Sequence, residues 1–113
     1  MIKNDCIFCK IVTGIIPSKK IQETSDLVVI EDIAPRAPIH YLIIPKKHIK
    51  NLQSASDLDQ ELLGSALLMA KELSATLSNS GEFRLVSNNG ASVGQSVFHI
   101  HCHFIAGKRM SDF

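Results

Sequence analysis

No stretch of this 113-residue chain approaches the roughly eighteen consecutive apolar residues that a membrane-spanning helix needs, and its mixed polar N-terminus has no hydrophobic signal core. Both absences point to a cytoplasmic protein with no membrane partner. An excess of charge is missing too: 12 basic residues face 11 acidic ones, a formal net charge of +1. No broad field favours nucleic acid, so any phosphate site has to be local. Tryptophan is absent and cysteine occurs three times. An odd count without a secretion signal argues against a disulfide framework and for reduced thiols or metal ligands. At this length, residues 1–113 form one domain that buries about two-thirds of its unfolded surface.

Hydrophobic patterning supplies the elements. Asp5 is placed to cap a short helix from Cys6 to Thr13, with Phe8, Ile11 and Val12 as its apolar stripe and Gly14 at its end. Lys20 to Glu23 and Leu27 to Asp32 read as a hairpin, and His40 to Ile44 as a third strand that Pro45 terminates. Leu58, Leu62, Ala66, Met69, Leu73 and Leu77 recur every three or four positions, which predicts one long amphipathic helix behind a Ser56 cap, closed by Asn79, Ser80 and Gly81. Phe83 to Ser87 and Val97 to Ala106 complete a five-stranded antiparallel sheet. The expected class is α+β, the sheet covered on one face by one long and one short helix.

The last strand carries the chemistry. His99, His101 and His103 alternate with Ile100, Cys102 and Phe104, so an extended backbone puts three imidazoles on one side, about 7 Å apart, and three apolar side chains on the other. A solvated strand face is ordinarily Thr, Lys or Glu. Imidazole changes charge near neutral pH, attacks electrophiles and binds metals. The uncovered face of the sheet is where the row is expected, its middle ring unmetallated and open to solvent. Just upstream, Gly94, Gln95 and Ser96 can bring backbone N–H groups, an amide and a hydroxyl to an anion.

Gly94-Gln95-Ser96-Val97-Phe98-His99-Ile100-His101-Cys102-His103 resembles the signature of the histidine triad family. Asp5 to Ile11, Glu31 to His40 and Ile44 to His48 resemble further segments of its branch of small purine nucleoside phosphoramidases, bacterial-type members included. The likeness runs from about Asp5 to Met110. It implies a nucleotidyl hydrolase that cleaves purine nucleoside 5′-phosphoramidates, conjugates of AMP or GMP, through a nucleotidyl-histidine intermediate. His101 matches the nucleophile, His103 a donor to the phosphate, His40 and His99 the rest of the network, and Ser96 the contact to the leaving group. Asp32 matches the ribose ligand, Ile7, Phe8, Ile11 and Ile33 the walls of the purine pocket, and Asn88, Gly94 and Gln95 the phosphate side. A homodimer with a continuous sheet is implied as well. No cofactor is expected for catalysis.

Cys6 and Cys9 have the spacing of a thiolate knuckle, and with His48 and His99 they can complete a structural zinc site such as some bacterial relatives resemble. The same two cysteines can equally be small buried residues of the first helix, just as Ile7 and Ile11 can be plain core. Two other functions remain open: a zinc-dependent hydrolase with the histidine row as its ligands, and a non-catalytic nucleotide-binding or scaffold module. Ile30, Cys102 and Ala106 depart from the family pattern, and a longer tryptophan-bearing tail is lacking, which leaves the leaving group undetermined.

Overall fold

The computed structural model describes residues 3–112. Its strands are β1 (Lys20–Glu23), β2 (Leu27–Glu31), β3 (Ile39–Pro45), β4 (Arg84–Val86) and β5 (Cys102–Ala106), in one sheet of order β1-β2-β3-β5-β4 with every neighbouring pair antiparallel. Helix α1 (Ile7–Val12) precedes the sheet and helix α2 (Gln60–Ser74) follows β3. Among the described residues, no helix is long and apolar enough to cross a membrane.

The four consecutive buried residues of β2 show where the layers are. Leu27 and Val29 pack with Ile43, Phe104 and the α2 residues Ala66, Met69, Ala70 and Leu73, whereas Val28 and Ile30 pack with Leu42, Ile44 and the α1 residues Phe8, Cys9 and Ile11. A strand buried on both faces has no polar alternation. The expectation of a sheet covered on one face is thereby corrected: α1 closes part of the second face, the one that receives the imidazoles.

Local chemistry moves three boundaries. The α1 cap is Cys6 in place of Asp5, its sulfur accepting the Cys9 N–H at 3.3 Å. The predicted helix from Leu58 to Leu77 is shorter at both ends. Asp59 accepts the Ser56 N–H at 3.0 Å and pairs with Lys47 Nζ at 2.6 Å, and this tight turn, Asp57–Asp59, is 3₁₀. Leu58 is 92% exposed and does not belong to the stripe, while Leu77 lies past the helix end yet still packs on the core. Ser80 and Gly81, both at positive φ, turn the chain back toward β4.

The third boundary matters most. The strand expected from Val97 to Ala106 begins only at Cys102. Its partner β3 pairs Ile43 with Cys102, and the next position facing Ile100 is Pro45, which has no N–H to give. Ile100 donates its N–H to the Ile49 carbonyl instead, at 2.6 Å, and residues 97–99 bend. His99 and His101 therefore sit before the strand, and only His103 is in it.

Candidate active site

A cleft of about 620 Å³ opens where β3, β4 and β5 meet the loop of residues 88–97. His101 and His103 line it together with Phe8, Asp32, His40, Asn88, Gly94 and Ser96. Gln95 shapes its rim from behind: the amide is 4% exposed, accepts the Gly90 N–H at 2.9 Å and donates to the carbonyls of Lys50 and Val97 at 2.8 and 3.1 Å. Gly94, at φ +105°, holds the turn beside the Asn88 amide, a conformation that any residue with a Cβ adopts only under strain.

Carbonyl oxygens only accept and backbone N–H groups only donate, so they assign the ring protons. His101 Nδ1 is 2.8 Å from the His99 carbonyl and must donate, leaving the lone pair on Nε2. His40 Nδ1 accepts the Arg36 N–H at 3.0 Å, so in the neutral ring its Nε2 carries the proton. That Nε2 lies 2.9 Å from His103 Nδ1, which accepts, and the His103 proton is then on Nε2. The result is a relay, from the Arg36 amide through His40 to His103, that ends in a donor. Asp32 Oδ2 flanks the relay, 3.4 Å from His40 Nε2 and 4.0 Å from His103 Nδ1, while its Oδ1 accepts the Ala34 N–H at 2.8 Å.

Burial disfavours the charged form of His101 and His103. Desolvation pushes His103 down to about 4, reinforced by the neighbouring His101 and His40, and it lowers His101 as well. Phe8 stands edge-on to His101, ring centroids 5.0 Å apart. His101 is 9% exposed, so the expectation of a ring open to solvent is corrected to one in the wall of a cleft.

His99 faces elsewhere. Its Nε2 donates to the Pro45 carbonyl at 2.6 Å, so Nδ1 offers a lone pair to a cluster of sulfur and nitrogen. Cys6 Sγ is 3.3 Å from that Nδ1, Cys9 Sγ 3.6 Å and His48 Nδ1 3.1 Å, with Cys9 Sγ also 3.4 Å from His48 Nδ1. A tetrahedron with metal–nitrogen bonds of roughly 2.0 Å and metal–sulfur bonds of roughly 2.3 Å has edges of about 3.3 Å between nitrogens and about 3.5 Å between nitrogen and sulfur. The donor set fits zinc in type and in spacing. Burial pushes His99 down to about 4 and lowers His48, which keeps both rings unprotonated, and it raises the Cys6 thiol, which a cation would have to deprotonate.

The structure thus divides the predicted residues. His40, His101, His103, Ser96, Asp32, Asn88, Phe8 and Gly94 share the cleft, and Cys6, Cys9, His48 and His99 share the cluster. Ile7 lies outside the cleft and is half exposed, Ile11 is in the core against the sheet, Ile33 stands wholly exposed beside Asp32, and Gln95 supports the loop. His99 is hydrogen-bonded to His101 through its carbonyl and not through its ring. Among the cleft residues that the sequence did not single out, two are charged, Arg36 and Arg84. Arg36 was legible only as part of a proline-rich loop, yet its amide sets the His40 tautomer. Arg84 lies in an otherwise apolar strand, and its guanidinium donates to the Ser111 carbonyl at 2.6 Å.

Residues 13–110 match the model of the HIT domain. An uncharacterized HIT-like protein of Synechocystis is 46% identical over 107 residues, covering 95% of this chain and 94% of its own. Among solved structures, a HIT family hydrolase from Legionella pneumophila superposes with a TM-score of 0.90 at 42% identity, over 95% of this chain and 96% of that one. A histidine triad protein from Clostridium difficile gives a TM-score of 0.94 at 34% identity, over 100% and 99%. What four separated motifs suggest is in this way established from two independent sides: the chain belongs to the histidine triad, or HIT domain, family.

Proposed function

We propose that this protein is a nucleotidyl hydrolase of purine nucleoside 5′-phosphoramidates, or of related nucleoside monophosphate conjugates, acting through a covalent intermediate on His101. The observation that carries the reading is the His101 tautomer. With Nδ1–H committed to the His99 carbonyl, Nε2 is a neutral nucleophile in the wall of the cleft. Nε2 attacks the α-phosphorus, the bond from phosphorus to the leaving nitrogen breaks, and the amine takes a proton from solvent by way of the Ser96 hydroxyl. Water then attacks the same phosphorus, frees Nε2 and releases the nucleoside monophosphate. His103 Nε2–H is the donor for the non-bridging oxygens, whose charge grows in the transition state. Asp32 is suited to the ribose hydroxyls, and Phe8 to one side of the purine. Arg36 and Arg84 add positive charge around a substrate phosphate.

The reading extends to a structural zinc ion held by Cys6, Cys9, His48 and His99. Four protein donors leave no open position for water, so such an ion would supply rigidity and no chemistry. It extends also to a cytoplasmic homodimer. β4 is an edge of the sheet, and beside it Leu67, with Leu52, Leu63, Leu85 and Ile100, lines an apolar hollow of about 210 Å³. A second copy pairing at that edge would make the sheet continuous.

The test is to incubate the protein with an adenosine phosphoramidate and trap the adduct by mass spectrometry. The adenylyl group maps to His101 and vanishes in His101→Ala, with turnover reduced at least about a thousandfold. Undiminished turnover by His101→Ala overturns the mechanism.

A further inference from the structure

Beside the catalytic cleft lies a second depression, of about 440 Å³, lined by Lys3, Asp5, His48, Lys50, Phe98 and others. Ser96 and Val97 line both spaces. The two spaces therefore adjoin one another along Ser96 and Val97. That hydroxyl makes no hydrogen bond among the described residues, whereas the amide of the adjacent Gln95 is fully engaged. A group expelled from phosphorus at His101 and followed by Ser96 emerges here.

The walls have a definite chemistry. Phe98 is 42% exposed, a large apolar side chain that keeps part of its surface open. Lys50 Nζ stands 5.8 Å from the centre of its ring, and the Lys50 carbonyl accepts from Gln95, which ties the lysine to the loop that carries Ser96. Lys3 and Asp5, of opposite charge, lie in the same lining as His48. Asp5 is the one acidic residue of the lining among the described residues. Lys50 makes no ion pair among the described residues, and its ammonium group lies beside Phe98 in this lining.

The geometry points to a leaving-group subsite for conjugates whose departing amine or alcohol carries a negative charge, a carboxylate or a phosphate, with Lys50 as its electrostatic partner and the Phe98 ring as its apolar floor. The inference rests on the phosphoramidase reading of the adjoining cleft. Because Lys50 is exposed, screening limits its effect to a few-fold, and that effect has to fade with salt.

The experiment compares adenosine 5′-phosphoramidates of β-alanine and of β-alaninamide, which differ by one charge at nearly constant size. The wild-type protein prefers the carboxylate in kcat/KM by about fivefold at low ionic strength, and the ratio falls toward one at about 0.5 M salt. Lys50→Ala abolishes the ratio and Lys50→Glu inverts it. Each ratio is taken within one protein, so partial misfolding of a variant does not move it. A third conjugate, of O-phosphoethanolamine, separates the two sources of charge: a ratio above that of β-alanine assigns the subsite to phosphate, a smaller one to carboxylate. Equal kcat/KM on the first pair in the wild type, or a ratio that survives Lys50→Glu, overturns the subsite and leaves the His101 reading standing. No turnover of either conjugate and no adduct on His101 overturns that reading and the subsite with it.

Discussion

His101 donates its Nδ1–H to the backbone carbonyl of His99 at 2.8 Å, while the His99 ring itself turns away to face Cys6 and Cys9. Two histidines separated by one residue thus serve different centres, and the link between them is main chain. Phe8, between the two cysteines in sequence, packs edge-on against both rings, at centroid distances of 5.8 and 5.0 Å. Whatever fixes helix α1 also fixes one wall of the cleft and the backbone beside His101.

Removing the end of the relay should cost rate more than binding. His103→Gln keeps a polar side chain but loses the oriented Nε2–H, and kcat falls about a hundredfold or more with a smaller change in KM, as for other single donors to a developing oxyanion. His40→Ala produces the same pattern in milder form, because His103 loses its orientation but keeps its donor. Steady-state kinetics on one phosphoramidate checks both, and an effect confined to KM would refute the assigned role.

Acid should destabilise the fold through His103. Its proton affinity is pushed down to about 4 in the folded protein by burial beside His40, His101 and Arg36 and against the opposing pull of Asp32. The unfolded chain takes up that proton near pH 6.5 and the folded chain does not. Stability is complete above about 6.5 and drains away as pH falls toward 4, by about 3 kcal/mol from this residue. Urea unfolding at several pH values reads the loss, and His103→Gln shows a correspondingly shallower decline. Parallel profiles for the two proteins would contradict the assignment.

Loading the cysteine–histidine cluster with zinc should stabilise the protein and release protons. The buried Cys6 thiol has its proton held more tightly than usual, so zinc binding displaces it into solution. Chelation of the zinc-loaded protein lowers Tm, by an amount corresponding to about 3 kcal/mol at a hundredfold excess of metal over Kd. Cys9→Ser weakens binding most directly, since Cys9 is wholly buried. Calorimetry in buffers of different ionisation enthalpy counts the protons. Binding without proton release, or an identical Tm with and without metal, would remove zinc from the account.

The dimer is tested on α2. Leu67 and Leu68 are 60% and 61% exposed, and Leu67 lines the hollow next to edge strand β4. Leu67→Glu would place a charge in an apolar interface and yields monomers in sedimentation velocity at concentrations where the parent chain is dimeric. A monomeric parent chain would end that part of the proposal.

The sequence by itself determined the order and kind of the elements, the five strands and two helices, because alternation and three-to-four-residue spacing are local properties of the chain. It determined the chemical groups as well: three imidazoles at alternate positions after Gly94-Gln95-Ser96, and a pair of cysteines with two residues between them. What it could not determine is which imidazole meets which partner. That depends on contacts between residues far apart in sequence, such as Cys6 with His99, His40 with His103 and the Pro45 carbonyl with the His99 ring. The fifth strand starts late because its neighbour across the sheet is a proline, and the second face is covered because α1 folds back over β2 and β3. Tertiary structure divided one row of histidines between a cleft and a metal-type cluster, since a ring's role follows from the donor or acceptor that each of its nitrogens meets.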